Sequence, residues 1–128
     1  MDRLVDLDLV VAELQARRAG WESRGLDVGA FTWLDAQAAW PQRILTDRAR
    51  VAEPESLGVT MEAAPDRFAE LVLWCGGWAD LDCIIDGEYQ LLSDQPKFQH
   101  VEECVTLAED LADLLLVGTW PQGSFSRR

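Results

Sequence analysis

The chain has 128 residues, 48% of them hydrophobic, with 11 basic against 23 acidic residues and a formal net charge of −12. That is enough apolar material for one buried core and too short a chain for two ordinary domains, so residues 1–128 are expected to form a single ordered domain. The charge excludes direct nucleic-acid binding as an expected role, because that binding rests on Lys and Arg displacing counterions from phosphates; it favours a basic partner instead.

The acid is concentrated. Residues 1–52 hold seven arginines and eight acids, a net of −1, whereas residues 53–117 hold two basic residues and fifteen acids, a net of −13. No run of 18 apolar residues occurs, so no membrane span is expected. The opening MDRLVDLDLVV carries acids where an export signal would carry a basic segment, and a cytoplasmic location is expected.

In chain order, residues 4–24 read as a helix. Leu7, Val10, Val11, Leu14 and Trp21 fall on one face of a 3.6-residue period, Asp6 is placed to cap the start, and Gly25 to stop it. Phe31, Trp33, Leu34 and Ala38 suit a second helix, ended or kinked by Pro41, with Ile44 to Val51 continuing it. Residues 52–56 (AEPES) read as a turn and 58–63 as a short strand, followed by the break Ala64-Pro65-Asp66.

FAELVLW (68–74) and ADLDCIID (79–86) are strand-like, with Gly76-Gly77 between them as a two-residue hairpin turn. That turn places Cys75 opposite Trp78 and puts Val72, Trp74, Ala79, Leu81, Cys83 and Ile85 on the core face, with Glu70 as its one misfit. Asp86-Gly87 marks a second hairpin into EYQLL, 88–92. Residues 100–116 form the strongest amphipathic helix of the chain: Val101, Cys104, Val105, Ala108, Leu111, Ala112 and Leu115 share a stripe, and Gly118 opens a loose tail, 118–128. The expected architecture is α+β: N-terminal helices, an antiparallel meander of three to four strands, and a C-terminal amphipathic helix packed on the sheet.

The stretch WCGGW (74–78) comes close to the redox motif Trp-Cys-Gly-x-Cys. Trp78 occupies the position of the resolving cysteine, so no dithiol chemistry is expected. Cys75, Cys83, Cys104 and His100 match a zinc set in number, and His100 and Cys104 are even at i, i+4 on a helix. Their spacings match no ordinary zinc module, and the assumed register puts Cys75 and Cys83 on opposite faces, so buried thiols are the better reading. Asp80, Asp82 and Asp86 alternate along a strand, yet no histidine or glycine-rich phosphate loop accompanies them. No catalytic residue, metal or cofactor is assigned.

Six tryptophans are many for this length. Trp21, Trp33 and Trp74 sit at core-periodic positions; Trp78 flanks a turn beside Asp80, Asp82 and Tyr89, a composition typical of a protein-binding hot spot. The candidate partner-binding set is Trp78, Asp80, Asp82, Asp86, Glu88 and Tyr89.

The segment LVLWCGGWADLDCIIDGEYQLL resembles the sheet region of bacterial immunity proteins from polymorphic toxin systems, in particular the tryptophan-rich TriTu type. The matching positions are Leu71, Leu73, Trp74, Gly77, Asp80, Leu81 and the 101–116 helix, with Phe31 and Trp33 upstream, so the likeness covers residues 31–116. The chain departs from it in carrying a second Gly and a second Trp at the turn. The resemblance implies a cytoplasmic protein without catalysis of its own that binds and blocks a toxin domain, here a basic one. Two other readings stand beside it. One is a dimeric secretion chaperone with the 100–116 helix as its seam; the other is a small metal protein or enzyme. An obligate dimer would mark the chaperone, a 1:1 complex with a toxin the immunity protein, and stoichiometric bound metal the third.

Overall fold

The computed structural model describes residues 2–90 and 95–119. It is an α+β fold in two layers, with two helices on one face of a six-stranded antiparallel sheet. Helix α1 (Leu7–Ser23) starts where the Asp6 carboxylate accepts the backbone N–H groups of Asp8 (2.9 Å) and Leu9 (3.3 Å). It buries Leu7, Val10, Leu14 and Trp21, and the chain reverses at Gly25, whose φ is +101°. Helix α2 (Val101–Val117) starts where Glu103 turns back to accept the N–H groups of Gln99 and His100, at 3.0 and 3.1 Å. It ends at left-handed Gly118, whose N–H donates to the Leu114 carbonyl. Both helices follow the apolar period closely.

The region expected to be a second helix is extended chain and loop instead. After β1 (Asp27–Val28), residues Thr32–Asp35 form β2, and a 3₁₀ turn follows at Arg48–Arg50. The Asp35 side chain is the reason. It is buried, and its carboxylate accepts the N–H groups of Gln37 (2.9 Å), Ala52 (2.8 Å) and Glu53 (3.1 Å). The Gln42 amide exchanges two hydrogen bonds with the Asp35 backbone (2.8 and 2.9 Å), and Trp33 and Leu45 exchange two more. Side-chain bonds both near in sequence and 17–18 residues away thus outcompete helical ones, and Pro41 keeps the residue before it from helical geometry. The 3₁₀ turn is pinned to α1 by the two-bond Arg48–Asp8 pair, at 2.7 and 2.9 Å.

Strand β3 (Pro54–Ala63) runs for ten residues, so the expected turn at 52–56 is mostly strand, with Pro54 at its first position. β4 (Arg67–Trp74), β5 (Trp78–Ile85) and β6 (Glu88–Tyr89) complete the meander, while β1 and β2 both pair with the far edge of β3. The second hairpin is as expected. Ile85 pairs with Glu88 across a two-residue turn in which Asp86 and Gly87 both have positive φ. Leu91 and Leu92 of the third expected strand, and residues 120–128 of the expected tail, lie outside the described residues.

The first hairpin differs from expectation by one residue. Trp74, not Cys75, pairs with Trp78, and the loop has three residues, Cys75-Gly76-Gly77. Gly77 alone of the two glycines has positive φ (+99°), with its N–H donating to the Trp74 carbonyl, the arrangement of a three-residue hairpin loop closed by a left-handed residue. The slip exchanges the faces of β4. Leu71 and Leu73 point into the core, whereas Val72 and Trp74 leave it, and Glu70 ceases to be a misfit. β5 keeps its expected face, with Ala79, Cys83 and Ile85 buried. Cys75 lies in the turn and is buried, so the opposite-face placement of Cys75 and Cys83 does not apply.

Leu57, Met61, Leu71 and Leu73 from the sheet, Leu7 and Leu14 from α1, and Leu107, Leu111, Leu114 and Leu115 from α2 are fully buried and form the centre of the core. Among the described residues, no helix is long and apolar enough to cross a membrane.

Candidate functional site

Both helices lie on one side of the sheet, so the even-numbered residues of β3, β4 and β5 face away from them. Pairing fixes the rows across β4 and β5: Trp74 beside Trp78, Val72 beside Asp80, Glu70 beside Asp82, and Phe68 beside Ile84. Tyr89 of β6 stands next to Ile84 and extends the same face. Glu70, Asp80, Asp82, Ile84 and Tyr89 are exposed, while Trp74 and Trp78 are half-buried.

The site is held by bonds within the face. The Trp74 and Trp78 rings stack with centroids 6.0 Å apart and planes 14° from parallel. Trp74 Nε1 donates to Asp80 Oδ2 at 2.9 Å, and Gln95 Nε2 donates to Asp80 Oδ1 at 2.9 Å. Asp80 therefore fixes the indole pair instead of standing free. The Tyr89 hydroxyl donates to Asp82 Oδ1, and this bond to a carboxylate raises the phenol above its usual pKa. Backbone bonds fix the Trp78 end from a third side: Phe98 N–H donates to the Gly77 carbonyl and Ala79 N–H to that of Pro96. A Cβ at Gly77 would lie 2.6 Å from the Phe98 carbonyl oxygen, so glycine is required there for contact as well as for φ.

Of the six candidate residues, Trp78, Asp80, Asp82 and Tyr89 share this face. Asp86 and Glu88 do not join them. Asp86 sits in the β5–β6 turn and accepts from Arg67 Nε at 3.1 Å, while Arg67 also donates to the Leu115 carbonyl. Glu88 is opposite Ile85, one position off the register of the face, and exposed at the sheet edge. Sequence reasoning missed Trp74, which it assigned to the core, and Glu70, which it left as a misfit. The signal was Glu70 itself, because a one-residue shift of the hairpin removes the only charge from the core face.

Cys75, Cys83 and Cys104 are buried and form no disulfide. Burial pushes the Cys75 thiol up, and it pushes the Cys104 thiol up to about 12. Among the described residues, no three His, Cys, Asp or Glu side chains are grouped to hold a metal ion. No protein-family model, curated protein or solved structure matches the chain.

Proposed function

We propose that the chain is an immunity protein: a cytoplasmic, non-catalytic inhibitor that neutralises a basic toxin domain by binding it through the bare face of the sheet. The observation that carries this reading is the composition of that face. It is left uncovered by the helices, it holds stacked Trp74 and Trp78 with exposed Tyr89, and its charged residues on β4 and β5 are all acids. Aromatic anchors within a field of one sign are what a tight, steered protein interface uses. An acidic inhibitor of this kind occupies the surface that a nucleic-acid-directed toxin offers to phosphate.

The chaperone reading loses its seam. The apolar stripe of α2, including Cys104, Leu107, Leu111 and Leu115, is buried against α1 and the sheet of the same chain. No observation favours the metal protein or enzyme.

The test is recovery of the tagged protein from its native cells, identification of what it carries, and assay of that partner. A stoichiometric basic toxin domain whose activity disappears when the two proteins are mixed is the expected result. A partner whose activity is unchanged by the complex overturns the proposal, as does recovery of an unfolded export substrate in its place.

A further inference from the structure

We propose that the chain pairs with a second copy of itself: the loop 36–44 of each molecule, led by Trp40, Arg43 and Ile44, docks on the bare sheet face of the other. Self-docking goes beyond the immunity reading and needs no toxin, and it uses an aromatic loop outside the bare face.

None of residues 36–44 is buried, and Trp40 and Ile44 are 64% and 66% exposed. Single exposed apolar side chains are ordinary, but here Trp40, Pro41 and Ile44 cluster about Arg43, and all four are exposed. The loop is nevertheless held firmly. Its neck is closed by the paired backbone bonds of Trp33 and Leu45, at 2.8 and 3.0 Å, and its middle by the two bonds between the Gln42 amide and the Asp35 backbone. The buried Asp35 carboxylate ties the same neck to the N–H groups of Gln37, Ala52 and Glu53. These bonds shape the loop without covering its apolar side chains. Trp and Arg are residue types that commonly anchor a protein interface, and a loop ordered in advance loses little freedom on binding.

The loop leaves the sheet beside the bare face. Leu34, Ser56, Trp74 and Trp78 form one row across β2 to β5, three strand spacings or about 14 Å long, and the loop starts two residues after Leu34. Residues 36–52 carry Arg43, Arg48 and Arg50 against Asp47, a net of +2, with Arg48 paired to Asp8 of α1. The bare face carries Glu62, Glu70, Asp80 and Asp82 around the half-buried Val72 and the indole pair. An apolar, basic projection and an apolar, acidic face thus lie side by side on one chain, and the exposure of Trp40 shows that they do not meet within it. A two-fold axis brings each loop onto the other copy's face and makes the contact twice, which is how a self-complementary surface closes into a dimer. A net charge of −12 on each copy repels at long range, so the pairing is reversible and rises with concentration. It is distinct from a seam through α2, whose apolar stripe is buried in its own chain.

The test is sedimentation velocity of the full chain alone over a concentration series. A monomer–dimer equilibrium is expected, and the double variant Trp40→Ala, Ile44→Ala should raise its dissociation constant at least about tenfold. Arg43→Glu should weaken the pairing, and so should the reversal Glu70→Lys, Asp82→Lys on the face. Mixed in equal amounts, these two variants should associate more tightly than either does with itself, because each loop then meets a face of opposite charge. Circular dichroism checks the fold of every variant, and Asp82→Lys alone replaces a double reversal that does not fold. A chain that stays monomeric throughout, a dimer indifferent to Trp40 and Arg43, or a mixture no tighter than its components overturns self-docking. The two proposals fail separately: a monomeric chain that neutralises a toxin domain removes self-docking and leaves the immunity reading standing, and a loop-dependent dimer that neutralises none does the reverse.

Discussion

The two faces of the sheet treat charge in opposite ways. At the end of β2, buried Asp35 receives three backbone N–H groups, and these bonds hold its carboxyl below the usual carboxylate range. On the bare face, Glu70 and Asp82 are set opposite each other with no cation beside them among the described residues. A charge that serves the fold is fully bonded within it, because leaving it unsatisfied in a buried place costs several kcal/mol. An exposed carboxylate needs no such set of bonds, because water solvates it. The contrast separates carboxylates bonded into the fold from those left to solvent.

The largest effects belong to the sealed face. Leu71 is fully buried, and Leu71→Ala should lower the unfolding free energy by about 2–5 kcal/mol in urea denaturation. Its chain neighbour Val72 faces the other way, and Val72→Ala should cost about 1 kcal/mol or less. Equal costs at the two positions would mean that both faces are covered and would remove the comparison. Next is Asp35→Ala, which strands three N–H groups and should lower stability at neutral pH. Because its pKa is depressed in the folded state, the stability it contributes is present above the unfolded value of about 4 and is lost as the pH falls through the lower folded value. The difference between wild type and variant should therefore be flat near neutrality and narrow in acid. A difference that stays constant into strong acid would show that the carboxylate charge plays no part.

The helices were legible because their signals are local. The i, i+3, i+4 stripes of α1 and α2, the Asp6 cap and the Gly25 and Gly118 stops each lie within a few residues of what they control. Asp86-Gly87 was legible for the same reason. The stretch from Phe31 to Val51 was not. Its alanines favour helix, and what overrides them is non-local: β2 pairs with β3, and Asp35 bonds residues 17 and 18 positions away. The first hairpin failed more subtly. Two adjacent glycines suggest a two-residue turn, but only Gly77 takes positive φ, and the resulting one-residue shift carried Trp74 and Glu70 to the other side. Half of the candidate site was legible through β5, whose alternation was read in the correct phase, and the β4 half was lost with that register.

Trp78 sharpens the comparison because it should matter little to one property and greatly to the other. It is half-buried on the bare face and stacked on Trp74, so Trp78→Ala should cost about 0.5–1.5 kcal/mol of stability from the lost ring contact. Binding to the proposed toxin partner should weaken by about 2 kcal/mol or more, near thirtyfold in Kd. Calorimetry of the complex, set beside thermal unfolding of the free variant, separates the two. Loss of fold with no folded fraction left to titrate would place Trp78 in the core.

The smallest effect carries the sharpest sign. Most exposed substitutions are neutral or mildly destabilising, but Glu70→Gln should raise stability by about 0.2–1 kcal/mol, because it removes one of two like charges placed directly opposite on β4 and β5. Added salt should narrow the gain, since an exposed repulsion is screened over about 10 Å at 0.1 M ionic strength. Under the proposed function, the same change should weaken binding of the basic partner. Stability up and binding down from one isosteric substitution is the signature of a charge kept for a partner at the expense of the fold. Were Glu70→Gln to destabilise the protein, Glu70 would be satisfied within its own chain, and the two faces of the sheet would handle charge alike.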